Sequence, residues 1–260
     1  MSRTFSTLTT ALDGPALWVT LNNPARKNAI GPTMVNELLY ALGDAAAESV
    51  VRAVVLTGAG DAFCAGGDFA TMTLGTAVES LPPKGDYADL LLAMTRFPKP
   101  ILARVNGHAM GGGLGLVAAS HFAIAARGAQ LATPEINVGL FPMMIMAVLA
   151  RVVPRRRLMD MMLLGERLDA DQAAAMGLVT RAVDPEVLDQ AIASLVASIA
   201  SKSPLTVRLG LEAFAEQADL DLEPALSLLR ERLGQCLATD DAREGLTAFL
   251  EKRRPQWTGR

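Results

Sequence analysis

Histidine and cysteine are scarce here, with two of each in 260 residues. His108 and His121 stand in no ligand spacing with each other or with Cys, Asp or Glu, so no metal centre is expected. Cys64 and Cys236 lie far apart in sequence, which fits a reducing compartment rather than a disulfide scaffold. Aromatic residues make up 5% of the chain while methionine occurs 12 times, so its core draws on flexible fillers. The formal charge is −3, and the basic blocks are short: Arg155-Arg156-Arg157 and Lys252-Arg253-Arg254. Nucleic-acid binding is not expected from such a balance. The longest strongly apolar run, Val138 to Ala150, is broken by Gly139 and Pro142 and falls short of the roughly 20 residues that span a bilayer. Met1 to Thr10 is polar and lacks the apolar core of a signal peptide. These absences point to a cytoplasmic protein without a membrane or nucleic-acid partner. No G-x-S-x-G elbow and no G-x-x-x-x-G-K-[ST] loop occurs, which argues against a serine hydrolase and a P-loop nucleotide site.

What is present is an order of elements. Ala16 to Leu21 reads as a strand, Thr33 to Glu48 as a helix with Met34, Leu38, Leu39 and Leu42 on one face, and Ala53 to Thr57 as a buried strand. Tyr87 to Thr95 reads as helix, Ile101 to Val105 as strand, Leu114 to Ser120 as helix and Phe122 to Ala126 as strand. Beyond Met143 the pattern is mostly helical: Met143–Val152, Arg155–Leu164, Asp169–Met176, Glu186–Ala200, Pro204–Gln217, Asp221–Ala238 and Asp240–Lys252. Asp169 and Thr239 are N-cap residues, and Pro204 opens a helix. The expectation is an α/β core over residues 1–200 followed by a helical region over 201–260. Thr71 to Asp86 lacks periodicity and suits a mobile lid.

Two glycine loops carry the chemistry. One is Phe63-Cys64-Ala65-Gly66-Gly67-Asp68. The other is Asn106-Gly107-His108-Ala109-Met110-Gly111-Gly112-Gly113, between a strand and a helix. If their preceding strands are parallel, backbone amides near Ala65 and Gly112 converge on one point and form an oxyanion hole, with a helix N-terminus adding its dipole. The same residues allow plain tight turns. Gly113-Leu114-Gly115-Leu116-Val117-Ala118 also fits a dinucleotide fingerprint, but it lies mid-chain and the following strand ends at Arg127 rather than at an acid. Glu135, among Ile136, Val138 and Leu140, is the candidate acid or base, because apolar surroundings raise a carboxyl pKa toward neutrality. Thr133-Pro134-Glu135 equally reads as a helix start, although Gly139 and Pro142 leave room for little more than one turn. His108 beside the glycines reads as a ligand contact or a structural residue, and Cys64 as a small buried residue rather than a nucleophile.

The motifs together resemble the crotonase superfamily, the enoyl-CoA hydratase/isomerase family. They are Leu21-Asn22-Asn23-Pro24 with Asn28-Ala29, Val54 to Gly60, Phe63 to Asp68, Val105 to Gly113, Thr133-Pro134-Glu135 with Val138-Gly139, and Glu244 to Arg253. The resemblance implies a spiral of ββα units and a C-terminal helical trimerisation region. It implies a homotrimer or a hexamer built as a dimer of trimers. It implies a coenzyme A thioester as substrate, with no separate cofactor. It assigns the oxyanion hole to the amides of Ala65 and Gly112 and the proton transfer to Glu135. The CoA contacts it implies fall on Ala25, Lys27, Ala65, Gly66, Asp68, His108 and Gly111, with Phe249 and Lys252 reaching a neighbouring subunit. Lys252 also reads simply as a solvated cation at a helix end.

The sequence departs from the family's hydratases at Gly115, where they carry a second glutamate. It departs again at Phe141 to Met146, where the family often has glycines, so acyl preference does not carry over. One carboxylate suffices to move a proton between two carbons of an enolate, whereas hydration usually employs two. The expected activity is therefore isomerase-like, with 2-trans-enoyl-CoA hydratase and a non-catalytic acyl-CoA-binding protein as alternatives.

Overall fold

In the computed structural model residues 3–68 and 81–260 are described. Strands β1 (Leu8–Asp13) and β2 (Ala16–Leu21) form an antiparallel hairpin around Gly14. Helix α1 spans Pro32–Ala47 and buries Met34, Leu38, Ala41, Leu42 and Ala45, residues that recur on one helical face. Then come paired strands: β3 (Ala53–Gly58) with β4 (Ala62–Cys64), β5 (Ile101–Val105) with β6 (His108–Met110), and β7 (Phe122–Ala126) with β8 (Gln130–Ala132). The first strand of each pair joins a six-stranded sheet, ordered β1-β2-β3-β5-β7-β10, and the second joins a four-stranded sheet, β4-β6-β8-β9. Each turn of the chain thus adds one strand to each sheet, which is a ββα spiral. Strands β9 (Arg167–Asp169) and β10 (Arg181–Val183) complete the two sheets.

Strand β3 is buried along its whole length, as expected of a central strand covered on both faces. Its alternate residues point to different cores. Val54 and Leu56 join the main cluster with Met34 and Leu38. Ala53 and Val55 pack in a second cluster with Leu188, Ile192 and Val196.

The remaining helices are α2 (Tyr87–Thr95), α3 (Gly112–Ala119), α4 (Met143–Leu149), α5 (Arg155–Leu164), α6 (Ala170–Ala175) and α7 (Leu188–Ala200). The chain ends in α8 (Pro204–Gln217), α9 (Leu222–Leu237) and α10 (Asp240–Leu250). Asp169 and Thr239 cap their helices as expected, accepting hydrogen bonds from the amides of Gln172 and Ala242. Helix α9 exposes Leu222, Leu226, Leu233 and Leu237 on one side. No described helix is long and apolar enough to cross a membrane.

The sequence reading missed β1, β4, β6, β8, β9 and β10. All but β1 have three residues, too few for a period of two to declare itself. Of the expected lid, residues 71–80 lie outside the described residues. Its last residue, Asp86, is the N-cap of α2 in a reciprocal capping box with Asp89.

Candidate active site

The site is built by the small sheet. Strand β4 runs parallel to β6, and β6 parallel to β8. Parallel neighbours send the chain out at the same edge, so three segments meet there: Ala65–Asp68 after β4, Gly111–Gly112 after β6, and Thr133–Val138 after β8. The longer strands at 53–57 and 101–105, also parallel neighbours, are not the ones that lead directly into these loops. They belong to the other sheet, and the inserted three-residue strands β4 and β6 do the positioning.

The first loop corrects one expectation. The Ala65 amide donates to the Lys27 carbonyl at 2.9 Å, and Ala65 is exposed, so it is not a free donor. Two residues on, the Gly67 amide is differently placed. Ile30 donates to Gly66 O (2.8 Å) and accepts from the Asp68 amide (2.9 Å), forming a parallel bridge opposite Gly67. In such a bridge the central residue's own N–H points away from its partner. Among the described residues the Gly67 N–H has no acceptor. Gly67 borders the main cavity, together with Gly112. Gly112 is the first residue of α3, where the N–H groups have no partner within the helix and the dipole is positive. The amide of Gly112, the second expected donor, is thus at a helix N-terminus on the cavity wall. The error at Ala65 arose because both residues sit in one glycine-bearing loop, and only the bridge to Ile30 distinguishes their amides.

Glu135 comes from a short 3-10 turn, Pro134–Val138, closed by Gly139 in the left-handed region. The turn has proline at its start, as the helix-start reading expected, but the Thr133 hydroxyl does not cap it; it donates to Met161 O at 2.8 Å. This swings the carboxylate to the glycines. A Cβ on Gly111 would stand 2.5 Å from Glu135 Oε1, and Gly111 has φ of +48°. Glu135 Oε2 is buried and has no hydrogen-bond partner among the described residues. Burial raises the Glu135 pKa above the usual carboxylate value, partly offset by a hydrogen bond from its own backbone.

This shift has a consequence for stability. A carboxyl whose folded pKa is raised binds its proton more tightly in the native state, so stability falls as pH rises from the unfolded toward the folded pKa. Glu135→Gln is accordingly expected to raise the thermal midpoint at neutral pH. The gain should vanish below the ordinary glutamate range, and melting curves of both proteins across pH will check it.

The cavity in front of these groups has a volume of about 480 Å³. Its apolar wall comprises Ile30, Val35, Phe141, Met143, Met144 and Ile145. The carboxylate, Gly67 and Gly112 all line it, so a carbonyl held at the amides would lie beside a base.

The residues expected to contact CoA lie outside this cavity. His108 is exposed at the start of β6 and its Nδ1 accepts from the Gln130 amide at 3.0 Å; it does not border the cavity. Asp68 is buried and ion-paired with Arg26 at 2.7 Å, so it ties the glycine loop to the Pro24–Arg26 turn instead of facing the cavity. Gly66 and Gly111 are buried behind the cavity wall. Ala25 and Lys27 are exposed on that turn, outside the cavity. Phe249 and Lys252 are exposed at the end of α10. Burial pushes the Cys64 thiol up to about 11, leaving it protonated and no nucleophile at neutral pH. Tyr87, unremarked in the sequence, lines the cavity and donates its hydroxyl hydrogen to Gly112 O.

Asn28 holds the first loop in register. It is fully buried with φ of +56°, a conformation asparagine tolerates better than most residues. Its Nδ2 donates to Ala59 O and Ala62 O at 2.8 and 2.9 Å, and its Oδ1 accepts from the Asn23 amide at 3.0 Å. Asn28→Ala is expected to cost about 1–3 kcal/mol by leaving buried backbone groups unpaired. Denaturant titration will measure it.

Gly67, Gly112 and a half-buried glutamate with one unpaired oxygen line one cavity on stacked ββα turns, a combination suited to stabilising an oxyanion and moving a proton. The profile described as enoyl-CoA hydratase/isomerase matches residues 15–260, and the chain belongs to that family. It is 30% identical over 244 residues to the short-chain-enoyl-CoA hydratase of Clostridium acetobutylicum, covering 93% of this chain and 94% of the relative. It is 33% identical over 236 residues to the crotonyl-CoA hydratase of Syntrophomonas wolfei, covering 90% and 91%. The crystal structure of an enoyl-CoA hydratase from Mycobacterium smegmatis superposes with a TM-score of 0.89 at 36% identity, over 97% of this chain and 99% of that one. The ββα spiral is thus the crotonase fold.

Proposed function

We propose that this protein shifts a carbon–carbon double bond in an acyl-coenzyme A thioester through an enolate. The thioester carbonyl accepts from the Gly67 and Gly112 amides, which stabilise negative charge developing on its oxygen. With a 3-enoyl thioester, Glu135 removes a proton from C2. The electron pair delocalises through the thioester and the C3–C4 bond, and Glu135 returns the proton to C4. The product is the 2-enoyl thioester, with no atom gained or lost. The raised pKa of Glu135 suits a group that must first take a proton and then release it.

The observation that carries this reading is that, of the two carboxylate residues lining the cavity among the described residues, Asp86 is engaged in capping a helix and only Glu135 stands beside the glycine loops, while position 115, where the family resemblance puts the hydratases' second glutamate, is glycine. The apolar wall supports a hydrocarbon acyl group. The exposed leucines of α9, with Phe249 and Leu250, support assembly into a trimer or a hexamer, in which Phe249 and Lys252 would reach a neighbour's CoA. Hydration of a 2-enoyl thioester is the second reading, favoured by the hydratase names of the relatives. Incubation with 3-enoyl-CoA and 2-enoyl-CoA, followed by mass spectrometry, separates them. An isomer of unchanged mass supports the first, and a product heavier by one water supports the second. Binding without product would leave an acyl-CoA-binding protein.

A further inference from the structure

Gly115 is fully buried and does not itself border the cavity. A methyl group built on it would overlap the Tyr87 hydroxyl and come within 2.5 Å of Ile145 Cγ2. The volume that any side chain at position 115 needs is therefore occupied by two residues from other elements. Tyr87 is held there from both ends. It is the first residue of α2, whose start is fixed by Asp86 accepting from the Ala88 and Asp89 amides at 2.8 and 3.1 Å. At its other end the hydroxyl donates to Gly112 O, in the first turn of α3. Ile145, on α4, completes the plug. The hydroxyl stays protonated, because burial first, then nearby Cys64 and Glu135, push it well above the usual phenol range. It is thus neither a base nor an anion, and its hydrogen already has an acceptor.

We propose that Tyr87 is the residue that sets reaction selectivity: its phenol fills the space above Gly115 and denies it to a water molecule, so the 2-enoyl thioester formed by reprotonation at C4 leaves without water adding to C3. The inference rests on the isomerase reading given above. The plug acts by volume. Its hydrogen bond to Gly112 O also braces the first turn of α3, whose leading amide is an oxyanion donor. Tyr87 does not move a proton in this scheme and is a positioning residue.

The readout is the ratio of water-adduct to isomer formed from a 3-enoyl-CoA and its 2-enoyl product, measured by mass, a quantity that general destabilisation does not change. Tyr87→Phe keeps the ring and is expected to keep the wild-type ratio, with kcat lowered about threefold to tenfold through loss of the brace. Tyr87→Ala opens the space and is expected to raise the adduct-to-isomer ratio at least about tenfold. If Tyr87→Ala does not fold, Tyr87→Leu serves, with a smaller rise in the same direction. An unchanged ratio in the folded small variant, while the wild type isomerises, overturns the role of Tyr87 and leaves the isomerase reading standing. A wild-type enzyme that chiefly adds water overturns both, since water then enters with Tyr87 in place.

Discussion

Glu135→Gln is expected to lower kcat by about 10³-fold or more, with thioester affinity within about threefold of wild type. Glutamine preserves the shape of the side chain and removes the proton-accepting oxygen. The proposed oxyanion donors are backbone groups on Gly67 and Gly112, untouched by the change, and the cavity wall is largely apolar. What is lost acts only between ground state and transition state, which is why kcat falls and binding does not. Glu135 Oε2 has no partner in the described structure, so the substitution breaks no side-chain network that would confuse the result. Steady-state kinetics with 3-enoyl-CoA, alongside calorimetric titration with a non-reactive acyl-CoA, checks both halves. Near wild-type turnover in this variant would falsify the assignment of Glu135.

Gly111→Ala is expected to lower kcat by about 10²-fold, although the residue makes no contact across the cavity wall. Its backbone has φ of +48° and ψ of −120°, a combination that costs a residue with a Cβ on the order of 1–3 kcal/mol. The new methyl would also stand 2.5 Å from Glu135 Oε1 and 3.2 Å from Cδ. One of the two must move. The Glu135 side chain, tethered to a five-residue 3-10 turn, is softer than the strand-anchored Gly111, whose amide donates to Ala132 O at 2.9 Å. The carboxylate is therefore displaced from the carbon it serves, and a shift of about 1 Å suffices for the loss. A lowered melting temperature should accompany the lost turnover. Wild-type kinetics in a folded Gly111→Ala protein would show that Glu135 is not held against this glycine.

Long elements were legible in the sequence because each repeats its pattern several times. Helix α2, strand β7, α5 and α8 lie within the residues that periodicity and capping marked. The convergence of the two glycine loops was legible because each follows an apolar, strand-like run, although the same residues allow plain tight turns. Glu135 was legible through its apolar neighbours. The choice between adjacent amides was not: nothing in Ala65-Gly66-Gly67 distinguishes them until Ile30 bridges the loop and Lys27 O takes the Ala65 N–H. The local partners of His108 and Asp68 were not legible either: the Gln130 amide donates to one and Arg26 pairs with the other, both from segments distant in the chain.

The sequence by itself determined the alternating core, the helical end, the oxyanion motif and the absence of a carboxylate at position 115. These are properties of residue type and local period, and they need no partner to be expressed. Only the tertiary structure decided which amide faces the cavity and what fills the space that Gly115 leaves. The Gly67 N–H is turned away from Ile30 by a bridge to that residue, distant in the chain, and has no acceptor among the described residues. Tyr87 and Ile145 reach Gly115 from two separate helices. Such contacts join segments whose local patterns carry no information about one another, so their meaning appears only when the two sheets bring them together.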